Sequence, residues 1–509
     1  MPSVLSSSAP RPIRRRGLVA SSLLVAGSAS MIANLAATSP ALAGPTPPRV
    51  REALLLATGR SAQGPRPYRI QLVANALVRG VAAVQTSATP SGGVTTNVAS
   101  KGAYLDTVVS PRQKEIPRYA RIRSATGMWS PWVRVTPQLS VAPRIHGGLL
   151  TVAPRGARFI MRGFDYQPLT KVPGTRNSFL NDTFSPATYR SAVVANALSA
   201  MTRLGYNAVR VFVNVGQIGN VSAPGLNRAY VSRMANFITI ANGDGVRVLL
   251  CTGELPAGGG YMPPPTPTLG GTNAYQLDPA DIAAKKRYLQ DLVRMLKSDD
   301  APLSDVLWEL AGEQDWNNRQ APLSFRNGIV RTAAGTYNMA NAASRSAMEN
   351  DNLAHWVNVL SAELHSLVPG SLVGVGIYSP SINKKRPGWT VAPAALFAKS
   401  SLDDFVDIHV YSNLGSQVTQ MRSYGASGTE KALIMGEFGA ARSLFSTPQQ
   451  GAKGEATWQA QSCHLGVNLS GWLLWTWNSS AQSEYWTALD GGGALAKALA
   501  PTSRPNPCT

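Results

Sequence analysis

Short apolar runs recur along the chain from about residue 146, and longer stretches with helical spacing separate them. Eight runs can be counted, at 159–165, 208–213, 247–252, 305–310, 372–377, 405–411, 432–435 and 471–477. The stretch 279–298 begins with Pro and repeats apolar residues every three to four positions, which predicts a helix. Alternation of strands and helices predicts parallel strands.

Eight such repeats predict a closed (β/α)8 barrel over 141–500, with a functional site at the carboxyl ends of its strands. A doubly wound open sheet is the alternative architecture, and it would usually bring a Gly-rich phosphate loop. The Gly run at 258–260 is followed by Tyr-Met-Pro-Pro-Pro rather than by a helix, so it is a poor candidate for such a loop. Residues 501–509 are expected to form a C-terminal tail.

The region before the barrel has a different rhythm. Between 65 and 140, turn residues separate short β-like runs at 68–73, 81–86, 119–122 and 132–135, a pattern typical of a small antiparallel sandwich. The stretch RYARIRSATGMWSPWVRV at 118–135 resembles the final hairpin of a fibronectin type III module, and a featureless β-extension is the alternative. Residues 44–64, rich in Pro, Ala and Gly, are predicted to be a linker.

Residues 1–43 have the composition of a cleaved export signal. Arg14, Arg15 and Arg16 precede an apolar stretch, and Ala41-Leu42-Ala43 is a small-residue cleavage site. The run RRRGLV also loosely resembles a twin-arginine signal. A membrane anchor is the alternative, but the apolar stretch is short and interrupted by Ser and Gly. We therefore expect a soluble mature protein that is secreted or periplasmic.

The net charge of the chain indicates which kinds of binding partner to expect. Lys and Arg outnumber Asp and Glu by 48 to 27, so the net charge is +21 and polyanions should be attracted. Because the basic residues are scattered and no aromatic–basic ladder is evident, nucleic acid is not an expected partner. Attraction to an acidic cell envelope or an acidic polysaccharide accounts better for the positive charge, and general solubility is the alternative explanation. A monomer is expected.

The three cysteines show no metal-binding pattern. No C-x-x-C spacing occurs, so a zinc site is not expected. A bridge between Cys463 and Cys508 would attach the C-terminal tail in an oxidising compartment. Three unpaired thiols, including Cys251, are the alternative.

Two acids stand where a barrel would place its chemistry. The fourth run, VLWELAGEQDW, leads to Glu313, and the seventh, ALIMGEFGA, leads to Glu437. Carboxylates at the rims of opposed strands can face each other across a barrel mouth, and glycoside hydrolysis requires such a pair. Strand alternation puts Glu309, Ala311 and Glu313 on the interior face, with Trp308 on the helix side. Glu309 is expected to pair deeper in the barrel with Arg162 or Arg210.

The region from about 146 to 500 resembles the cellulase and mannanase family of (β/α)8 glycoside hydrolases. The resemblance rests on FIMRGFDYQ, GYNAVRVFV, DFVDIHVYS, GWLLWTW and on NAYQLDPADIAAKKRYLQDLV followed by the WEL–GE motif. It implies a retaining β-glycosidase acting on a β-glucan or β-mannan polysaccharide or oligosaccharide, without a metal or organic cofactor. Glu313 would be the acid/base and Glu437 the nucleophile.

The resemblance also implies supporting roles. Arg210 would lie below the nucleophile, with Tyr411 hydrogen-bonded near it, His409 in the subsite wall and Trp475 under the sugar ring. Core packing is the alternative for His409 and for Trp475. On the loops, further substrate-binding candidates are Asn214, Tyr166 and Trp316, for which loop packing is the alternative.

One position departs from the family pattern. Gly312 replaces the Asn that normally precedes the acid/base and hydrogen-bonds the sugar 2-hydroxyl, a bond that strengthens in the transition state. Another amide such as Asn214 or Gln314 could compensate, or the substrate could lack an ordinary equatorial 2-hydroxyl. Alternatively, the barrel has lost catalysis and acts as a secreted carbohydrate-binding protein.

Overall fold

A computed structural model describes residues 50–508 with interruptions at 58–67, 75–80, 88, 92, 98–103, 110–118, 125, 139–142, 153–156, 172–178, 379–387, 412–420, 427–429, 464–466, 468 and 478–482. The predicted export signal lies outside the described residues. Within the described ranges, no helix has the length and apolar character needed to cross a bilayer.

The N-terminal module is a seven-stranded sheet with the strands β1 Val50–Ala57, β2 Tyr68–Ala74, β3 Val81–Ser87, β4 Val94–Asn97, β5 Tyr104–Val109, β6 Tyr119–Ser124 and β7 Val133–Gln138. Their order is β4-β3-β6-β7-β1-β2-β5, antiparallel except where β1 meets β7. This topology is compatible with the predicted sandwich. The linker prediction is wrong over 50–57, because the apolar run there pairs with both β2 and β7.

Eight parallel strands close into a barrel, which confirms the predicted (β/α)8 architecture. From first to eighth, the barrel strands are Met161–Asp165, Ala208–Phe212, Arg247–Cys251, Val306–Glu309, Leu372–Tyr378, Phe405–His409, Ala432–Phe438 and Leu469–Leu474. Each of them overlaps one of the eight apolar runs. These runs are continuous because a barrel strand is buried on its interior side and on its helix-facing side.

Helices surround the barrel, and the long ones are Ser191–Arg203, Arg228–Gly243, Pro279–Ser298, Ala342–Leu367, Pro448–Ser462 and Asp490–Ala498. The predicted helix at 279–298 is confirmed; Asp278 caps it by accepting a hydrogen bond from the Ala280 amide. Shorter helical segments are Val215–Ile218, Gly271–Asn273, Ala274–Leu277, Leu303–Asp305, Pro393–Phe397 and Arg422–Ala426. Short strands outside the barrel are Pro143–His146, Leu149–Val152, Ala157–Arg158, Leu169–Lys171, Phe179–Asn181, Trp316–Asn317, Ile329–Arg331, Thr336–Asn338 and Trp389–Thr390.

Apolar side chains fill the amino-terminal end of the barrel interior. Met161, Leu307 and Phe405 belong to this cluster, and Leu150 of the small sheet formed by 143–158 packs into it. The same end of the molecule is tied by a disulfide between Cys463 and Cys508, so the bridged alternative holds. With one end filled by hydrocarbon, polar chemistry is confined to the carboxyl ends of the strands.

Candidate active site

Glu313 and Glu437 meet at the carboxyl end of the barrel. One carboxylate oxygen of each acid and one ring nitrogen of His409 all lie within 4.8 Å of one another. His409 Nδ1 lies 3.2 Å from Glu313 Oε1 and 3.5 Å from Glu437 Oε1. The two acids therefore face a common space, as the strand positions predicted.

Glu313 reaches this space through a turn rather than through strand alternation. The fourth barrel strand ends at Glu309, and Glu313 has a left-handed φ of 57°, which is uncommon for a residue with a side chain. Leu310 and Ala311 both pack in the outer core. The prediction that Ala311 faces the interior is wrong, because the regular alternation stops where the strand does.

Below the pair, one guanidinium is surrounded by four carboxylates. Arg210 Nε lies 2.6 Å from Glu309 Oε2 and 3.2 Å from Asp407 Oδ2, while Nη1 lies 2.6 Å from Glu437 Oε1 and 3.2 Å from Asp165 Oδ1. Burial lowers the pKa of Arg210, but the charges of Glu309, Asp407 and Glu437 more than offset it and hold that pKa well above its ordinary value. Arg210 is fully buried. It is placed to orient Glu437, in the position below that acid that the resemblance implied, and its burial leaves no surface for direct contact with a substrate.

Of the two arginines predicted as partners of Glu309, Arg210 contacts it. Arg162 instead donates to the backbone carbonyls of Leu499 and Arg504 in the C-terminal segment. Arg210 is therefore the partner of Glu309.

Two members of this charge cluster, Asp165 and Asp407, were missed at the sequence level. Burial raises the pKa of Asp165 well above its ordinary value, and its Oδ2 has no hydrogen-bond partner among the described residues. A signal for Asp407 was available in a glycine of the neighbouring strand, as it was for Glu309. A Cβ at Gly376 would collide with Glu309, and one at Gly436 with Asp407. Glycine at these two positions leaves room for interior carboxylates.

His409 and Tyr411 complete the hydrogen bonding of the acids. Burial lowers the pKa of His409, but the negative charge of Glu437, with smaller contributions from Asp407 and Glu313, holds it well above its ordinary value. The His409 side chain is fully enclosed, so it acts on the two acids and not as a subsite wall. Tyr411 donates its hydroxyl to Glu437 Oε2, in the position that the resemblance implied.

Aromatic rings gather beside the acids in a cluster that includes Trp475, Tyr411, Tyr378 and Tyr485. Trp475 packs edge-on against Phe212 with ring centroids 5.9 Å apart, and it keeps 8% of its surface exposed. Tyr485, on the loop after the eighth strand, stacks on Tyr411 at 4.9 Å. It was missed because nothing in its local sequence connects it to the sixth strand.

The loop candidates do not behave alike. Tyr166 is 3% exposed and packs on Phe237, and Trp316 is fully buried in the core. The prediction that these two bind substrate is wrong, because both side chains are enclosed in the hydrophobic core and Trp316 lies in a short strand paired with 389–390. Asn214 caps the helix Val215–Ile218 by accepting from the Gly216 amide, and its contact with sugar stays a prediction.

Gly312 lies against the charge cluster. A Cβ at this position would lie 3.1 Å from Arg210 Nη2 and 3.6 Å from Glu309 Oε1. The amide of Gln314 is directed elsewhere: its Oε1 accepts from Gln276 at 2.8 Å. Any side chain at 312 would therefore press on the guanidinium that supports Glu437.

Among the residues that the structure describes, two groups have donor atoms close enough to hold a metal ion: Glu313, His409 and Glu437, and Glu309, Asp407 and His409. In the second group the guanidinium of Arg210 already contacts two of the three side chains. The positive charge of Arg210 already balances these carboxylates, as a bound metal ion would. The expectation that no metal is required stays a prediction.

Comparisons with known proteins concern the fold. No family model matches the chain, and no curated protein matches it in sequence. Similar solved structures include an exo-β-1,4-mannosidase from Opitutaceae bacterium strain TAV5, at 15% identity and a TM-score of 0.46 over 72% of this chain and 63% of that one. An endo-1,4-β-mannanase from Rhizomucor miehei has 16% identity and a TM-score of 0.49 over 72% and 99% of the two chains. A β-1,4-D-mannanase from Cryptopygus antarcticus has 17% identity and a TM-score of 0.46 over 71% of this chain and 94% of that one.

Proposed function

We propose that the protein is a retaining β-glycosidase. Glu437 attacks the anomeric carbon, and Glu313 protonates the departing glycosidic oxygen and then removes a proton from the water that releases the sugar. The observation that carries the proposal is the approach of the two carboxylates to within 4.8 Å. Carboxyl groups in retaining glycosidases are about 5–5.5 Å apart, against about 6.5–9.5 Å in inverting ones.

The surroundings of the two acids support this division of roles. Both oxygens of Glu437 accept hydrogen bonds, one from Arg210 at 2.6 Å and one from Tyr411, which fixes the orientation expected of a nucleophile. The Glu313 side chain is 16% exposed, compared with 7% for Glu437. Access to solvent suits the residue that must exchange protons with a leaving group and a water molecule.

For the substrate we propose a polysaccharide or oligosaccharide with β-linked glucose or mannose units. The aromatic cluster around Trp475 offers apolar surface for the C–H bonds of a pyranose. Asn214, on the loop after the second strand, is the amide we propose for a sugar hydroxyl. The reaction as written needs no cofactor and no second subunit.

We also propose that the protein is exported, since Arg14 to Ala43 has the charge, apolar stretch and cleavage site of a signal. Mass spectrometry of the protein recovered outside the cytoplasm should find Gly44 as its first residue. An N-terminus at Met1 in that fraction would contradict cleavage.

Hydrolysis of a panel of β-glucans and β-mannans, with the product anomers followed by NMR, tests the activity. We expect the β-anomer to form first and to mutarotate later. Glu437→Gln should abolish polymer turnover and Glu313→Gln should lower it about 10²–10⁴-fold. Glu363→Gln, which alters an acid paired with Lys286, should leave it unchanged. An α-anomer formed first would refute retention. Tight binding of a polymer with no turnover by the wild-type protein would favour the carbohydrate-binding alternative.

A further inference from the structure

One face of the N-terminal module carries arginines that lie over tryptophan rings. The Arg121 guanidinium carbon lies 4.7 Å from the ring centroid of Trp129 and 4.5 Å from that of Trp132, and Arg123 lies 5.5 Å from Trp129. We call these four residues the Arg–Trp ladder. Sequence reasoning missed it, because the two arginines and two tryptophans come together only when β6 pairs back on the turn that precedes β7.

Strand alternation explains which side of the sheet the ladder occupies. Ala120 and Ile122 of β6 are buried, so Arg121 and Arg123 project from the opposite face. Arg121 Nε donates to Gln85 of the neighbouring strand at 2.8 Å. The ladder side chains are half-buried: they are fixed in place and still reach solvent.

The module is far more basic than the rest of the chain. Between residues 50 and 138 the sequence contains twelve Lys and Arg but only three Asp and Glu. Such an excess attracts polyanions over long range. Guanidinium groups held over aromatic rings lose little further freedom when they bind an anion, and their planar donors match a carboxylate.

We propose that the Arg–Trp ladder binds an acidic polysaccharide, with Arg121 and Arg123 pairing to successive uronate carboxylates. The tryptophans act mainly by holding the guanidinium planes and by giving apolar contact at their exposed edges. Single-stranded nucleic acid fits less well, because base stacking needs free aromatic faces, and the guanidinium groups already cover them. This binding site is separate from the barrel and does not depend on the proposed hydrolysis.

The test measures binding of the full chain to polygalacturonate at low salt, about 0.02 M, with neutral galactomannan as the uncharged comparison. Arg121→Gln combined with Arg123→Gln should weaken binding to polygalacturonate about tenfold. Trp129→Ala keeps the charge but removes the stacking surface, and it should also weaken binding. A charge-matched control, Arg331→Gln combined with Lys453→Gln on the exposed barrel surface, should change it less than about twofold.

Several outcomes would overturn the proposal. Equal losses in the ladder variant and in the charge-matched control would mean that net charge alone is responsible. Failure of the wild-type chain to bind polygalacturonate would refute the site directly. Tighter binding of oligothymidylate through the same residues would assign the ladder to nucleic acid. As a control, the ladder variants should keep the wild-type melting temperature and barrel activity, so that a loss of polygalacturonate binding can be assigned to the ladder and not to misfolding.

Discussion

Arg210 donates from Nη1 to Oε1 of Glu437 at 2.6 Å, and the same guanidinium makes two further bonds to Glu309, of 2.6 and 2.8 Å. One side chain of the second barrel strand thereby connects the acids of the fourth and seventh strands. Its fork of donors fixes the direction of Glu437 while leaving the oxygen bonded by Tyr411 near the barrel mouth.

Replacing Arg210 with Lys should therefore lower kcat by about 10²–10³-fold, because a single ammonium cannot bond Glu309 and Glu437 together. KM should change much less. The variant is compared with Arg162→Lys, which alters a buried arginine whose side chain bonds to carbonyls of the C-terminal segment. Both variants should lower the melting temperature; a similar loss of kcat in both would contradict a positioning role for Arg210.

The roles of the two glutamates can be separated with leaving groups. An aryl β-glycoside with a strongly acidic phenol needs no proton donor in its first step. Glu313→Gln should therefore lose about 10²–10⁴-fold in kcat/KM on the polymer but less than about tenfold on the aryl glycoside. Glu437→Gln should lose both activities. If Glu313→Gln is equally impaired on the two substrates, Glu313 is not the acid.

Gly312→Ala tests the close approach to Arg210. The new methyl group would lie 3.1 Å from Nη2, so the guanidinium must shift by a few tenths of an ångström and carry Glu437 with it. We expect kcat to fall about tenfold with KM nearly unchanged, since small misplacements of reacting groups are costly. At Gly270 an added methyl meets only ordinary contact at 3.6 Å, so Gly270→Ala should retain wild-type kcat.

Glu455 provides a prediction about stability and pH. It is fully buried in the helix Pro448–Ser462, neither oxygen has a hydrogen-bond partner within the described part of the chain, and burial raises its pKa well above the ordinary value. In acid, the carboxyl group of Glu455 is protonated in both the folded and the unfolded state, so its burial does not make the stability depend on pH. As pH rises above about 4.5, the unfolded state ionises first and the free energy of unfolding falls by about 1.4 kcal/mol per pH unit.

Glu455→Gln should remove that fall, as measured by urea unfolding between pH 5 and about 8. Glu363 is the contrasting acid: burial raises its pKa, but hydrogen bonds from Gln290 and Lys286 bring it below the ordinary value. The stabilisation that Glu363 provides is present at neutral pH and is lost as pH falls through the acid range, so Glu363→Gln should lower the free energy of unfolding at neutral pH and leave its slope between pH 5 and about 8 unchanged. An unchanged slope in Glu455→Gln would show that Glu455 has a partner in solution.

Periodicity was enough to predict the barrel. Each strand is buried on both sides, so each of the eight appears in the sequence as a continuous apolar run. Such runs can be recognised without knowledge of the tertiary structure. The rims of those strands likewise located Glu313 and Glu437, because the carboxyl ends of parallel strands share one edge. The helix at 279–298 could be predicted from its Pro start and spacing for the same local reason.

What the sequence alone determined is therefore the order of strands and helices and the two acids at the strand ends. Only the tertiary structure decided which side chains converge. Asp165 and Asp407 join Glu309 around Arg210 through barrel closure, and loop packing encloses Tyr166 and Trp316. The physical reason is that burial and charge pairing depend on neighbours distant in the chain, whereas strand and helix periodicity depends on neighbours a few residues away.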